Sequence, residues 1–492
     1  PCCAINRFSA LNDIYLTICL AYLSADKWPG WMILVTDPPA TRVISSVIGM
    51  YDLMEQRISL VEDITKKRAP FRDKGVIYLL SPTQESVERM VADWTPSTDQ
   101  KEPLYGDGAF IYFLGRLPDP LLAKIKACKA LIKRVNALGE INVDFLAKHG
   151  NAFHLDMNSA FAQLFKRGGR PSRAEFVIAD KLVTLCATLN EYPHIRYEAS
   201  SPLSTSLAKI FHTKMNEFVG QNHNWWHQGD PSHTDRGRST MLLLDRKIDC
   251  LSPLMHEFSY QAMVNDLLKI DNDRITFKSE TVGTAAETGD HRATVDKDAL
   301  LNENDEVWVE LRCKHIADVI QTLSGRIREI VNSNTAQVIK SKGSGAKALS
   351  LSQMANAMKA LPEYREVMAK LSQHMHISHQ CMDLFKELGL LNLSDLEQTL
   401  ATGKDEDGRV PKLNDLVDLV EDELRAVPDA LTRLRLLGIL IVSQDGIRSK
   451  DKDRLLTAAR FTPKAARTLQ NLQKMDCPLI QRKESSKLRS IL

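Results

Sequence analysis

Along the first third of the chain, short apolar runs alternate with stretches whose apolar residues recur every three or four positions. "WMILVTD" (31–37), "ISLVEDI" (58–64), "GVIYLLSP" (75–82) and "GAFIYFLG" (108–115) read as strands. Between them, "VISSVIGMYDLMEQR" and "TQESVERMVADW" carry helical spacing, with Thr83 as the cap of the second. "DPLLAKIKACKALIKRVNAL" (119–138) reads as one helix with a proline near its start, and "EINVDFLAKHG" closes the series. Continuous apolar strands alternating with amphipathic helices predict a parallel sheet covered on both faces.

A second, weaker α/β pattern runs from about 144 to 241. "FVIADKLVTLCATLNEYPHIRY" reads as helix then strand, 222–239 as a polar loop, and "TMLLLDRKID" as a buried strand. Beyond it the chain turns helical. The segments 279–306 and 339–350, rich in Ser, Gly, Ala and charge, read as mobile loops. Long helical patterns follow, among them "EYREVMAKLSQHMHISHQCMDLFKEL" and "LNDLVDLVEDELRA".

The length of 492 residues points to about three domains. Lys+Arg 64 against Asp+Glu 62 leaves a net charge of +2, which argues against a protein built chiefly to grip nucleic acid. The nine cysteines form no CxxC spacing, so neither a disulfide framework nor a zinc knuckle is indicated, and buried reduced thiols are expected. "IYLTICLAYL" (14–23) is too short to cross a bilayer and reads as a buried helix.

Candidate chemistry is sparse. A parallel sheet could seat a nucleotide at its strand ends, but no GxGxxG or GxxxxGK[ST] follows any strand. His223, His227 and His233 lack ordered ligand spacing and fit a surface linker; His374, His376 and His379 fit polar or interfacial positions on a helix. The densest cluster is "LLLDRKIDCLSPLMHEFSYQAMVNDLL" (242–268), with Asp245, Arg246, Asp249, Ser252, Pro253, His256 and Glu257. Serine hydrolysis would need Ser252 on a GxSxG elbow, which is not there. Ser252-Pro253 instead reads as a helix start, with Glu257 in its early turns. Asp245 and Arg246 leave a strand and are expected to bond each other or nearby backbone, as parts of a structural polar network rather than a catalytic site.

The same stretch resembles the signature of the Sec/Munc (SM) family, cytosolic proteins that bind syntaxin and chaperone SNARE assembly. "ISLVEDITKKRAPF" (58–71), "LNENDEVWVELRCKHIADVIQTL" (301–323) and "LPEYREVMAKLSQHMHISHQCM" (361–382) are similar to further family blocks, in the family's order. The exocytic Unc-eighteen branch fits best. The resemblance implies an arch of three domains: a Rossmann-like parallel α/β domain (1–141), a second α/β domain (142–241) and a mainly helical domain (242–492) with a SNARE-templating hairpin at about 310–385. In the family a C-terminal return segment completes the second domain. This chain ends at "ESSKLRSIL" before any such segment, so the expectation is either a protein cut short or an unfinished second domain.

The resemblance also implies sites. Asp37, Arg42, Glu62, Lys66 and Lys67 match contacts to closed, four-helix syntaxin, and the Lys66-Lys67-Arg68 run lies where a partner could reach it. Gly49 and Ala69 depart from the basic and acidic residues of exocytic relatives, which implies a weaker clamp. Leu122 and Glu140 match the pocket for the N-terminal peptide of syntaxin. Pro362 and Met375 match the hairpin that cradles a synaptobrevin-like vesicle SNARE beside syntaxin and in the assembled bundle. Pro362, inside a helical pattern that includes Met358, is expected to favour a bent hairpin. No catalytic residue, metal or cofactor is implied, nor nucleic acid or membrane insertion; the protein would be cytoplasmic and recruited to membranes through syntaxin. The alternatives are a Rossmann-like nucleotide-binding enzyme and a generic helical scaffold.

Overall fold

Five strands line up in parallel: β1 (Met32–Thr36), β2 (Ile58–Asp63), β3 (Gly75–Leu80), β4 (Ala109–Phe113) and β5 (Val135–Glu140), in the order β2-β1-β3-β4-β5. This is the order of a doubly wound, flavodoxin-like sheet. Every residue of β1, β3 and β4 is buried, which is why they read as unbroken apolar runs. Successive side chains enter opposite layers. Met32, Leu34, Ile77 and Leu79 join one cluster; Ile33, Val35, Val76, Tyr78 and Leu80 join the other. The structure is a computed structural model, and it describes residues 18–19, 21–28, 30–96, 102–106, 108–166, 170–222, 238–271, 273–280, 294–340 and 362–481.

The connecting helices are α1 (Pro38–Ser45), α2 (Met50–Glu55), α3 (Gln84–Trp94), α4 (Asp119–Ala127) and the single turn α5 (Lys129–Ile132). Thr83 caps α3 by accepting from the Ser86 amide at 3.2 Å. The pattern over 43–57 divides at Gly49, whose N–H is held by the Asp52 carboxylate at 2.8 Å at the start of α2. The stretch 119–138, expected as one helix, breaks at Cys128 and ends in β5. An edge strand buries alternate residues only, so β5 shows no continuous apolar run to announce it.

β6 (Leu146–His149) and β7 (Ala152–His154) form a small hairpin, followed by α6 (Phe161–Leu164), α7 (Arg173–Leu189), β8 (His194–Tyr197), α8 (Pro202–Gln221) and β9 (Thr240–Leu243). α7 and α8 cover one layer of the large sheet with Leu182, Val183, Phe211 and Met215. β8 and β9 make a separate two-stranded parallel sheet. The expectation that β9 is buried is corrected: Leu242 is 59% exposed and Leu244 54%.

The chain divides into two compact units, Pro1–Asp245 and Arg246–Leu492. The second unit contains α9 (Tyr260–Leu267), an antiparallel sheet of β10 (Ile270–Asp271), β11 (Arg274–Glu280) and β12 (Thr294–Leu300), then α10 (Glu306–Leu311), α11 (Ile316–Lys340) and α12 (Pro362–Glu387). α13 (Leu390–Thr402), α14 (Leu413–Ala426), α15 (Ala430–Ser443), α16 (Ser449–Ala459) and α17 (Pro463–Leu469) complete it. β12 falls inside the segment expected to be a mobile loop. From Asp296 to Leu300 it buries Ala299 alone, so its sequence looks like a solvated linker, yet its backbone pairs with β11 from Arg274↔Leu300 to Glu280↔Thr294. Residues 281–293 and 341–361 lie outside the described residues, and with them nearly all of the expected loop 339–350.

Candidate functional site

Asp37 ends β1 and caps α1. Its Oδ1 accepts from the Ala40 amide (3.0 Å) and the Ser81 hydroxyl (3.2 Å); its Oδ2 accepts from the Ser81 amide (2.8 Å) and the Ser86 hydroxyl (2.7 Å). The side chain is 3% exposed. This is the switch point between β1 and β3, where a doubly wound sheet seats an anionic ligand at a helix N-terminus. A fixed carboxylate takes that position and uses its donors. The phosphate seat that a nucleotide enzyme would need is thus filled from within. Asp37, expected among the residues that meet a partner, is buried here and braces the strand ends.

Arg42, on α1, grips Asp156 through Nε at 2.7 Å and Nη2 at 2.6 Å while remaining partly exposed. Beyond β2 the run Lys66-Lys67-Arg68 splits. Lys66 and Lys67 project into solvent from the turn. Arg68 turns inward and binds Asp93 through Nη2 (2.7 Å) and Nη1 (2.8 Å), with both side chains nearly buried. Tyr78 donates to the same carboxylate at 2.7 Å and accepts from the Trp94 indole at 3.1 Å. Tyr105 donates to Glu62 Oε2 at 3.0 Å and accepts from Arg68 at 3.3 Å. Glu62 therefore stands at the outer end of a buried chain of hydrogen bonds, beside two exposed lysines. Composition shows a charge run; the division of labour within it depends on Asp93, 25 positions away. Ala69 is exposed.

Leu122 is half-buried on α4 against the layer containing Trp94 and Ile125. Glu140 closes β5 and accepts the Leu117 amide at 2.7 Å, which ties the strand end to the segment that starts α4. The structure thus brings Leu122 and Glu140 to one corner of the first unit.

In the second unit α12 is helical from Pro362 to Glu387. The expected bend involves Met358, which lies outside the described residues. Met375 is partly buried against the cluster of Tyr260, Trp308 and Leu371. Its neighbour His374 is fully buried, where a polar or interfacial position was expected. Tyr260 Oη lies 3.0 Å from its Nδ1, and its Nε2 lies 3.1 Å from Asp305 Oδ2. Burial works to raise the Asp305 carboxyl, but the His374 contact and the Trp308 amide outweigh it and hold that carboxyl below its ordinary value. His376 stacks on Phe277 and His379 is exposed. A cleft of about 320 Å³ between α10, α11 and α12 is lined by Glu310, Arg326, Glu329, Ile330, Val367 and Leu371. His223, His227 and His233 lie outside the described residues. Among the described residues no group of three or more His, Cys, Asp or Glu could hold a metal ion, and no helix is long and apolar enough to cross a membrane.

The signature cluster is spent on local architecture. Asp245, buried, accepts from the Ser201 hydroxyl at 2.6 Å in the first unit. Arg246, half-exposed, donates to the Asp249 carbonyl at 2.7 Å. Asp249 accepts the Leu251 and Ser252 amides. His256 binds Glu397 twice, through Nδ1 at 2.8 Å and its amide at 2.9 Å. Arg435 donates to the carbonyls of Leu254 and Met255, each at 2.8 Å, and grips Asp266. One local expectation is corrected: Ser252-Pro253 opens a single 3-10 turn that stops at Met255, and the helix starts only at Tyr260. Glu257 precedes it, accepting from the Ser259 amide and hydroxyl. No sequence signal marks Arg435 or Glu397, because each acts on residues at least 141 positions away.

A family model described as the Sec1 family matches residues 32–491. The chain is 34% identical over 474 residues to "Protein transport protein sec1" of Dictyostelium discoideum, covering 96% of this chain and 73% of that relative. It is 31% identical over 382 residues to the "SNARE-interacting protein KEULE" of Arabidopsis thaliana, covering 76% of this chain and 55% of that relative. Among solved structures it resembles the Unc18–syntaxin 1 complex from Monosiga brevicollis, with a TM-score of 0.78, 26% identity, and coverage of 98% of this chain and 82% of that one. The chain spans just over half of its plant relative and about three quarters of the Dictyostelium one. With a family model covering nearly all of it, the chain belongs to the Sec1 family.

Proposed function

We propose that this chain binds a syntaxin, both as its closed four-helix body and through its N-terminal peptide, and chaperones SNARE assembly with a synaptobrevin-like vesicle SNARE during vesicle docking, fusion and exocytosis. The observation that carries this reading is the likeness, over nearly the whole chain, to the Unc18–syntaxin 1 complex. The chain works by binding rather than by catalysis, from the cytoplasmic side, recruited to membranes through syntaxin. The proposed division is three domains at 1–141, 142–241 and 242–492.

In this reading Lys66 and Lys67 meet closed syntaxin, with Glu62 and Arg42 beside them. Asp37 belongs to the same set, and with Arg68 it holds that surface in shape. Leu122 supplies an apolar floor and Glu140 an acidic wall for the N-terminal peptide. Met375, a flexible thioether on a long helix, suits a helix-binding groove, and Pro362 favours the bent form of the hairpin.

A pull-down with a cytosolic syntaxin fragment tests the function: the chain is captured, and failure to capture it overturns the reading. Lys66→Glu with Lys67→Glu tests the surface. These exposed changes shift stability by no more than about 0.5 kcal/mol, while syntaxin binding weakens and its salt dependence changes. Unchanged affinity across a salt series removes this surface from the clamp.

A further inference from the structure

We propose that the strand-entry end of the large sheet is a docking face for an anionic membrane surface, touched at headgroup depth. This goes beyond syntaxin binding and rests on the first unit alone. In a parallel sheet every strand enters at the same end, so the residues just before the strands stand in a row. Here Arg57 precedes β2, Trp31 precedes β1, Lys74 precedes β3 and Arg134 precedes β5. The register fixes the row: Met32 pairs with Ile58 and with Gly75, and Ala109 pairs with Val135. Backbone bonds tie the entries together. The Met32 amide donates to the Arg57 carbonyl at 2.9 Å, the Ala109 amide to the Arg134 carbonyl at 2.8 Å, and the Gly106 amide to the Lys74 carbonyl at 3.2 Å. The Arg134 guanidinium also donates to the Gly106 carbonyl. Ile132 and Lys133 close α5 and lead into Arg134.

Charge and exposure suit this row to a partner. Arg57, Lys133 and Arg134 are exposed and have no ion pair among the described residues. Lys74 meets Asp73 at 4.0 Å, too far for a hydrogen bond. Arg57 has a φ of 60°, a left-handed conformation uncommon for an arginine, so this cation is held at a strained position. Trp31 is 49% exposed between Arg57 and Lys74, and Ile132 is 46% exposed beside Lys133. From β2 to β5 the row crosses four strand-to-strand gaps, about 19 Å in all, too wide for one small anion to bridge. A layer of anionic headgroups offers a phosphate to every cation at once. Nucleic acid could do the same, but the net charge of +2 argues against it, and the two apolar side chains favour lipid. An indole and an isoleucine set among cations match the membrane interface, where an aromatic ring sits at headgroup level beside lysine and arginine. Lys66, Lys67 and Glu140, proposed above to meet syntaxin, stand at the strand exits, the opposite end of the sheet.

The test floats the full folded chain with SNARE-free vesicles, of phosphatidylcholine alone or of phosphatidylcholine mixed with phosphatidylserine, over a salt series. With no SNARE present, the outcome is independent of syntaxin binding. The chain is expected to bind the mixed vesicles, to ignore the neutral ones, and to be released as salt rises. Each cation near an anionic surface tightens binding about fivefold, so Arg57→Gln with Lys133→Gln weakens it about 25-fold. Lys133→Gln alone, at an exposed side chain, weakens it about fivefold and decides the site where the double variant folds poorly. Trp31→Ala weakens binding without lowering its salt dependence. Lys450→Gln with Lys452→Gln removes the same charge from exposed positions in the second unit and leaves binding within about twofold. No binding to the mixed vesicles, equal binding to both kinds, or equal losses in the two double variants overturns the proposal. Capture of a polyuridine RNA in place of the vesicles does the same.

Discussion

β1, β3 and β4 of the large sheet are buried along their whole length, whereas β8 and β9 are covered on one face only. Both sheets are parallel, and β9, like β1, β3 and β4, reads in sequence as a short apolar run. In the large sheet β1, β3 and β4 each feed two packed layers. In the small one Ile195, Met241 and Leu243 join the core, while Leu242 and Leu244 face outward. An apolar triplet says that a strand forms; it does not say how many of its faces will be covered. Parallel strands are stable when both faces are packed, so the small sheet holds through one layer and through Asp245 at the end of its strand.

The largest effect is expected in the network under the large sheet. Asp93→Ala strands the Arg68 charge in the interior and removes the acceptor of Tyr78, costing about 3–5 kcal/mol. Asp93→Leu combined with Arg68→Met recovers most of that loss, because the charge is no longer buried. Chemical denaturation of the three proteins checks this; a single mutant within error of wild type would break the comparison at its strongest point.

Leucine truncation compares the sheets directly. Leu34→Ala, at a fully buried site in β1, costs about 2–5 kcal/mol. Leu242→Ala, in β9, stays within about 0.5 kcal/mol, since the side chain is already in water. Equal losses in denaturant midpoints would mean that β9 is covered in solution.

A smaller loss belongs to the brace on the small sheet. The Ser201 hydroxyl accepts the Ser204 amide at 3.1 Å at the start of α8 and donates to Asp245 at 2.6 Å. Ser201→Ala removes both bonds and costs about 1–3 kcal/mol. Ser201→Thr keeps a hydroxyl and retains most of the stability. Thermal melts in which the threonine variant is no better than alanine would separate Asp245 from this role.

Arg246→Ala sharpens the reading of the signature segment with the smallest effect, about 0.5 kcal/mol or less, because its contact to Asp249 lies in solvent. Melting curves that place it level with Ser201→Ala would show that Arg246 bears more of the fold than its exposure implies.

Much of the large sheet was legible. Strands buried on both faces leave a continuous apolar run, and β1 to β4 were read within a residue or two. β5 was not, since half-covered alternation with polar residues fits a helix's tail equally well over so few positions. β12 was missed for a similar reason: its backbone is paired, but its side chains are nearly all in water. Among the candidate site residues, Lys66 and Lys67 are exposed as the charge run suggested, while Asp37 is buried, as is most of the neighbouring Arg68 side chain. Periodicity places a residue on an element; it does not name what waits for it on the other side.

Composition, periodicity and the similar blocks by themselves determined that an α/β region precedes a mainly helical one, that most strands of the first sheet run parallel, that Thr83 starts a helix, and which family the chain joins. These follow from local rules, in which a residue's neighbours in sequence set its backbone and the recurrence of apolar positions sets its face. Only the tertiary structure decided that Asp37 fills the switch point, that Arg68 meets Asp93, and that His374 sits between Tyr260 and Asp305. Each depends on a partner tens to hundreds of positions away. Burial raises the energy of an unpaired polar group, and only the closed fold determines which distant group satisfies it.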